Sequence, residues 1–267
     1  MLKQYPAIAF GDHRQGSLFV ESLRTAEAPE RVILYLHGGA FVFGSVASYR
    51  RRVLRVAHRC HAEVFLPEYR QAPEHPFPAA LDDAVAAWLL IRQLRPGAPA
   101  HIVGDSARGG LALSLLLRLR DASLPLPAGA VLLSPWTDLS VSGALAKRHL
   151  GKDLWFTTAH LEAWARYYVG KANARSPDVS PVFGNYVGLP PLLLVAGGDE
   201  LLVDDAVRVW TNARAAGVDA RIVVGTGMQH NYPLALPWLA ESREAWRIAT
   251  QFLGRVPQQT LDCERFK

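Results

Sequence analysis

Short apolar runs and longer amphipathic stretches alternate along most of this chain of 267 residues. The runs at 32–36, 63–66, 101–103, 130–133, 192–195 and 221–224 are short, mostly apolar and rich in Val, Ile and Leu. That pattern predicts strands covered on both faces. Between them, 48–60, 78–94, 107–120, 203–216 and 237–253 read as helices. Val53, Leu54, Val56 and Ala57 fall on one side of the first. Pro78 opens the second and Pro96-Gly97 closes it, the asymmetry expected of helix ends. Strands separated by helices of this length need crossover connections, so the chain is expected to be α/β, with a mostly parallel sheet and helices on both faces. An edge strand is expected at 18–21.

The rhythm breaks between about 138 and 190, a segment rich in Trp, Tyr, Phe, Gly and Pro with one amphipathic helix at 158–169. An insertion of this kind predicts a lid over the sheet, so the expected organisation is one domain over 1–267 with a cap insertion at 139–190.

The chain is 50% hydrophobic and 20% charged, as for a soluble globule with a sizeable core. Its net charge of +5 is carried mainly by arginine, most densely at Arg50, Arg51, Arg52, Arg55 and Arg59. Aromatic stacking residues are not interleaved there, so this reads as a solvated helix face and no nucleic-acid partner is expected. Two cysteines, Cys60 and Cys263, do not make a disulfide framework. No apolar h-region follows Met1-Leu2-Lys3-Gln4-Tyr5-Pro6, and no run of about 18 apolar residues exists. No membrane partner is expected, and the cytoplasm is the expected compartment.

Candidate chemistry centres on Gly104-Asp105-Ser106-Ala107-Arg108-Gly109-Gly110. An apolar run precedes it and a helical run follows, the layout of a strand–turn–helix elbow that lifts a serine above the strand ends. A serine hydroxyl needs a base, and the base an orienting acid. On this topology they should follow as Ser, acid, His on loops after strands. Asp199 follows the strand at 192–195 and His230 the strand at 221–224, which assigns Ser106 as nucleophile, His230 as base then acid, and Asp199 as its orienter. Asp138 is the rival acid, while Asp204 and Asp205 open a helix, where the dipole favours carboxylates. Most other histidines, including His149, sit on expected surface segments. His37-Gly38-Gly39-Ala40 follows the first buried strand, a glycine-rich loop that can aim N–H groups at an oxyanion. Gly38, Gly39 and Ala107 are its expected donors. Phe41, Phe43, Trp136, Phe183, Met228 and Tyr232 are candidate pocket walls.

With these pieces in order, the chain resembles the bacterial hormone-sensitive lipase family of esterases, within the α/β-hydrolase fold. The matching motifs are His37-Gly38-Gly39-Ala40-Phe41, Tyr69-Arg70-Gln71-Ala72-Pro73-Glu74-His75-Pro76-Phe77-Pro78, Gly104-Asp105-Ser106-Ala107, Ser134-Pro135-Trp136-Thr137-Asp138, Gly198-Asp199-Glu200-Leu201-Leu202 and Gly227-Met228-Gln229-His230. The resemblance implies a carboxylesterase acting on short acyl esters, no cofactor or metal, and Asp199 rather than Asp138 as the acid. It allows a homodimer. The same triad would also serve a lactonase or a deacetylase or amidase, whereas His230 argues against a non-catalytic ligand-binding member of the fold.

Three departures stand out. Ala40 replaces the third glycine of the family's loop, tolerable if its backbone angle is ordinary. Only about 30 residues precede the first central strand, which implies a shortened N-terminal cap segment at 1–20 and a reduced cap. Arg108 replaces a small residue of the elbow. Gly109 and Gly110 could restore the close helix approach while Arg108 swings outward to a carboxylate such as Asp83. The alternative is a cation near the site that favours acidic substrates or lowers the pKa of His230.

Overall fold

The computed structural model describes residues 8–25, 28–143 and 152–254. The segment Met1–Pro6, His149, Cys263 and residues 144–151 of the expected cap insertion lie outside them. The described elements are β1 Ala9–Gln15, β2 Leu18–Arg24, β3 Arg31–Leu36, α1 Val46–Cys60, β4 Ala62–Glu68, α2 Ala79–Leu94, β5 Ala100–Asp105 and α3 Ala107–Asp121. After them come β6 Ala130–Leu133, α4 Thr158–Val169, β7 Leu192–Gly197, α5 Val203–Ala215, β8 Ala220–Gly225, α6 Tyr232–Ala235 and α7 Ala240–Leu253.

The eight strands form one sheet in the order β1-β2-β4-β3-β5-β6-β7-β8. From β4 onward every pair is parallel, and β2 joins β4 antiparallel. Successive strand residues alternate between two cores. Leu34, Ile102, Leu132 and Leu194 pack with α2, α3 and α5 on one face. Their neighbours Ile33, Val103, Val131 and Leu193 pack with α1 and α7 on the other. Burial on both faces is what the apolar runs encode.

Two differences from the sequence pattern have local causes. Residues 9–15, expected within a cap segment, form edge strand β1, paired antiparallel to β2. Only alternate, partly exposed residues touch the sheet there, so no apolar run marks it. Helix α7 starts at Ala240 rather than at Pro237, because Leu239 donates its N–H to the Leu236 carbonyl (3.1 Å) and closes a turn first. Helices α1 and α4 start at capping boxes, Ser45 with Ser48 and Thr157 with His160.

Because β3, β5, β6, β7 and β8 run parallel, the loops after them gather at one edge of the sheet. Those loops carry residues 37–44, 106, 134–138, 199–200 and 226–231.

Candidate active site

Ser106 stands at the turn between β5 and α3 with φ 57° and ψ −130°, outside the ordinary regions for an L-residue. The turn holds because Ser106 donates its N–H to the Leu133 carbonyl (2.8 Å) and accepts the Trp136 N–H on its own carbonyl (3.0 Å). The glycines do the close packing. A Cβ on Gly104 would lie 2.4 Å from the Arg108 carbonyl oxygen, and one on Gly110 1.9 Å from that of Trp136. Gly109 and Gly110 thus carry the approach of α3 that Arg108 leaves to them.

His230 brings Nε2 to 2.9 Å from Ser106 Oγ. The carboxylate facing its other nitrogen is Glu200, whose Oε2 lies 3.3 Å from Nδ1. This corrects the expectation of Asp199. The Asp199 backbone N–H bonds the Met228 carbonyl (3.1 Å), which ties the strand end to the histidine loop, while its side chain is partly exposed and the next side chain turns inward. A Cβ on Gly197 would lie 2.4 Å from the Met228 carbonyl oxygen, so the close approach that brings the loops together needs glycine there. The Nδ1 contact falls short of hydrogen-bond geometry. Such contacts are often long in an unliganded site and tighten with substrate. Asp138, the rival acid, is bound elsewhere, to Arg208 (2.7 Å).

Ser134 locks this arrangement. Its Oγ donates to Glu200 Oε2 (2.7 Å) and accepts the Asn231 N–H (2.9 Å), so one hydroxyl fixes both the acid and the histidine loop. The edge of the Phe156 ring meets the His230 ring at 4.7 Å between centroids.

The glycine-rich loop is organised by Asp105, a fully buried carboxylate. Its Oδ1 accepts the Gly38 N–H (2.9 Å) and the Tyr35 hydroxyl (3.0 Å), and its Oδ2 accepts the Tyr49 hydroxyl and Asn231 Nδ2, each at 3.1 Å. Burial raises its pKa, and these donors oppose the shift. The Gly38 N–H is therefore committed to Asp105 and cannot serve an oxyanion, a second correction. Among the described residues the N–H groups of Gly39, Ala40 and Ala107 have no acceptor. Gly39 has φ 131°, and a Cβ there would lie 1.8 Å from the Phe43 carbonyl oxygen. Ala40 (φ 49°) and Phe41 (φ 66°) are left-handed, so the backbone angle at Ala40 is not ordinary. This costs roughly 1–2 kcal/mol per non-glycine residue.

Neighbours hold the strained loop in place. Phe41 stacks on Tyr168 with centroids 3.7 Å apart. Ala72 donates its N–H to the Phe41 carbonyl (3.0 Å), Gln71 Nε2 to the Gly44 carbonyl (2.8 Å), and the Tyr69 hydroxyl to the His37 carbonyl. The proline-rich segment is thus a brace for this loop. Burial, aided by the charge of Arg108, lowers His37 to about 3, so it stays neutral and structural.

Arg108 turns inward, not outward. It is fully buried, with its guanidinium carbon 4.6 Å from the Tyr69 ring centroid and 4.9 Å from that of Phe41. Asp83, its expected partner, is taken by Arg70 (2.8 Å). No carboxylate among the described residues lies within ion-pair distance of Arg108, so two aromatic faces take the place of a counter-ion.

A cavity of about 630 Å³ opens above Ser106 and His230. Of the expected wall residues only Phe43 lines it. Phe41, Trp136 and Tyr232 are buried in the cores, Met228 packs against the second core, and Phe183 lies beneath Arg175 and Arg208. The walls are instead Phe43, Trp155, Phe156 and Trp164 on one side and Tyr49, Arg52, Leu234 and Ala235 on the other. The aromatic richness of the cap segment was the available signal for the first wall. Arg52 lies on the polar face of α1, where a charge run reads as solvated surface, whereas Tyr49 packs against the second core and also lines the cavity. Among the described residues no group of three or more His, Cys, Asp or Glu could hold a metal, and no helix is long and apolar enough to cross a membrane.

Comparison with known proteins agrees with this fold. A family model described as alpha/beta hydrolase fold matches residues 33–234. An acetyl-hydrolase of Streptomyces hygroscopicus is 39% identical over 247 residues, covering 92% of this chain and 83% of that protein. An esterase of Acinetobacter venetianus is 30% identical, covering 94% and 84%. A crystal structure of an esterase from the bacterial hormone-sensitive lipase family superposes with a TM-score of 0.86 at 37% identity, covering 92% of this chain and 84% of that one. The esterase EstE5, soaked with p-nitrophenyl butyrate, gives 0.85 at 37% identity with the same coverage. With the fold, the elbow and the histidine loop in place, the chain belongs to the bacterial hormone-sensitive lipase family of α/β-hydrolase-fold esterases.

Proposed function

We propose that this carboxylic ester hydrolase works through an acyl-enzyme on Ser106 and favours esters of short acyl chains. The observation that carries the reading is the 2.9 Å contact between Ser106 Oγ and His230 Nε2 beneath an open cavity. Ser106 Oγ attacks the ester carbonyl carbon while His230 Nε2 takes the hydroxyl proton. The resulting oxyanion is received by the N–H groups of Gly39, Ala40 and Ala107. Collapse expels the alcohol, which leaves with the proton from His230. Water then attacks the acyl carbon as Nε2 takes its proton, and collapse of this second intermediate breaks the bond to Oγ while Nε2 returns the proton to it, releasing the acid and restoring Ser106. Glu200 holds the imidazole in the tautomer with Nδ1 protonated and stabilises the imidazolium.

The short-chain preference is supported by the aromatic wall. Phe156 and Trp164 are packed edge to face, 6.0 Å between centroids, beside His230. The similar proteins named for acetyl hydrolysis and soaked with a butyrate ester point the same way. The test is Ser106→Ala with a p-nitrophenyl series from acetate to palmitate. Loss of turnover in the variant and a fall in kcat/KM beyond six acyl carbons in the wild type are expected. Retained activity in Ser106→Ala overturns the acyl-enzyme, and a maximum at palmitate overturns the chain-length reading.

A further inference from the structure

The two walls of the cavity differ in chemistry. One is aromatic; the other, from α1 and α6, carries Arg52. Among the described residues, Arg52 is the one basic side chain on the lining besides His230, and Asp105 is the one acid. Asp105 is fully buried and both its oxygens are engaged, so it leaves nothing for Arg52. The Arg52 guanidinium rests 5.1 Å from the Tyr49 ring centroid and donates a long 3.4 Å bond to the Ser48 carbonyl. By contrast Arg50, on the same helix, makes a bidentate pair with Glu21, Nε to Oε1 and Nη2 to Oε2. Among the described residues neither Arg52 nor Arg55 lies within ion-pair distance of a carboxylate.

The positive wall also continues outward. Arg52, Arg55 and Arg59 follow one face of α1 at helical spacing and border a small crevice with Leu234, Pro237 and Trp246, and Arg52 and Leu234 line the cavity as well. Among the described residues the site thus presents a planar cation without a carboxylate partner at its mouth, a nucleophile at its floor, and no acid on the lining other than the fully engaged Asp105. A guanidinium in that setting matches a carboxylate in geometry and charge.

We propose that Arg52 is a specificity residue and that the preferred esters carry a carboxylate on the arm that leaves the scissile carbonyl toward α1. This rests on the ester hydrolysis through Ser106 proposed above and adds the substrate class. The bond cleaved is unchanged; the distal carboxylate is bound, not transformed.

The experiment measures kcat/KM on two matched pairs, monoethyl glutarate against ethyl pentanoate and 4-acetoxybutanoate against butyl acetate. The first pair places the charge on the acyl arm and the second on the alcohol arm. One pair is expected to favour the charged ester in the wild type, and to lose that preference roughly 10- to 100-fold in Arg52→Gln, through KM rather than kcat. Arg52→Lys should restore part of it, since the charge stays and the fork is lost. Added salt should weaken the preference in the wild type alone. If the charged-to-neutral ratio is the same in wild type and Arg52→Gln for both pairs, the proposal is overturned. Should no ester be hydrolysed and a fluorophosphonate fail to label Ser106 in the folded protein, the acyl-enzyme reading itself fails; labelling and neutral-ester turnover without an Arg52-dependent ratio sink only the substrate class.

Discussion

Replacing Glu200 by Gln while leaving Asp199 in place separates the two acids that the chain sets side by side. Ser106 Oγ lies 2.9 Å from His230 Nε2, and a hydroxyl can hand its proton only to an unprotonated nitrogen. The neutral imidazole must therefore carry its proton on Nδ1, the nitrogen 3.3 Å from Glu200 Oε2. A carboxylate only accepts, so it enforces that tautomer; an amide can turn its NH₂ toward Nδ1 and enforce the opposite one. The same exchange in a serine triad costs about 10⁴-fold in kcat, or about 5.5 kcal/mol of barrier. Glu200→Gln is expected to lose activity on that order with p-nitrophenyl acetate. The Ser134 hydroxyl, 2.7 Å away, can accept from the amide, so the fold should tolerate it, and a thermal melt checks this. Asp199→Asn alters a partly exposed side chain with no contact to the histidine, and its kcat should stay within about threefold. A loss of a hundredfold or more in Asp199→Asn beside less than tenfold in Glu200→Gln would refute the assignment.

Two further expectations concern buried charge. Arg108→Met keeps an unbranched apolar stem that stops short of the guanidinium position between the rings, and removes a charged group that has no carboxylate partner among the described residues. Two cation–π contacts of about 2 kcal/mol each oppose a desolvation cost of several kcal/mol plus three unsatisfied nitrogens. The variant should therefore melt several degrees higher; a melting point more than a few degrees lower would show that the rings repay the charge in full. Asp205 is raised from 3.8 to about 7, first by burial and then by the nearby Asp138 charge, against the Thr137 and Asp138 N–H groups it accepts. The unfolded chain sheds this proton near 3.8 and the folded one only near 7, so between these values the folded state holds the extra proton and stability falls as pH rises. Asp205→Asn keeps an acceptor and removes the titration, so urea midpoints should decline less from pH ~4 to ~7 than in the wild type; equal slopes would dismiss the shift.

The sheet and its helices were legible because burial on both faces writes itself as apolar runs, and crossover helices write a helical period. Strand β1 was not, since an edge strand that half faces water carries no such run. At the site, Ser106 and His230 could be placed because each lies on a loop that a strand end fixes. Glu200 could not be told from Asp199, for a reason that lies in the backbone. The Gly197-Gly198 turn decides which of two adjacent carboxylates points inward, and glycine leaves that choice to packing against the Met228 carbonyl, a contact distant in sequence. The oxyanion loop repeats the lesson. Four consecutive N–H groups follow His37, yet the first is claimed by Asp105, a residue whose partners come from β3, α1 and the histidine loop. Arg108 is the sharpest case. Helix-dipole and charge-pairing rules sent it outward to a carboxylate, whereas the fold turns it between Tyr69 and Phe41, one from the bracing segment and one from the loop being braced. Pairing rules count partners along the sequence, but an aromatic sandwich exists only after three separate segments have met, so what such rules miss is the long-range contact, not the residue.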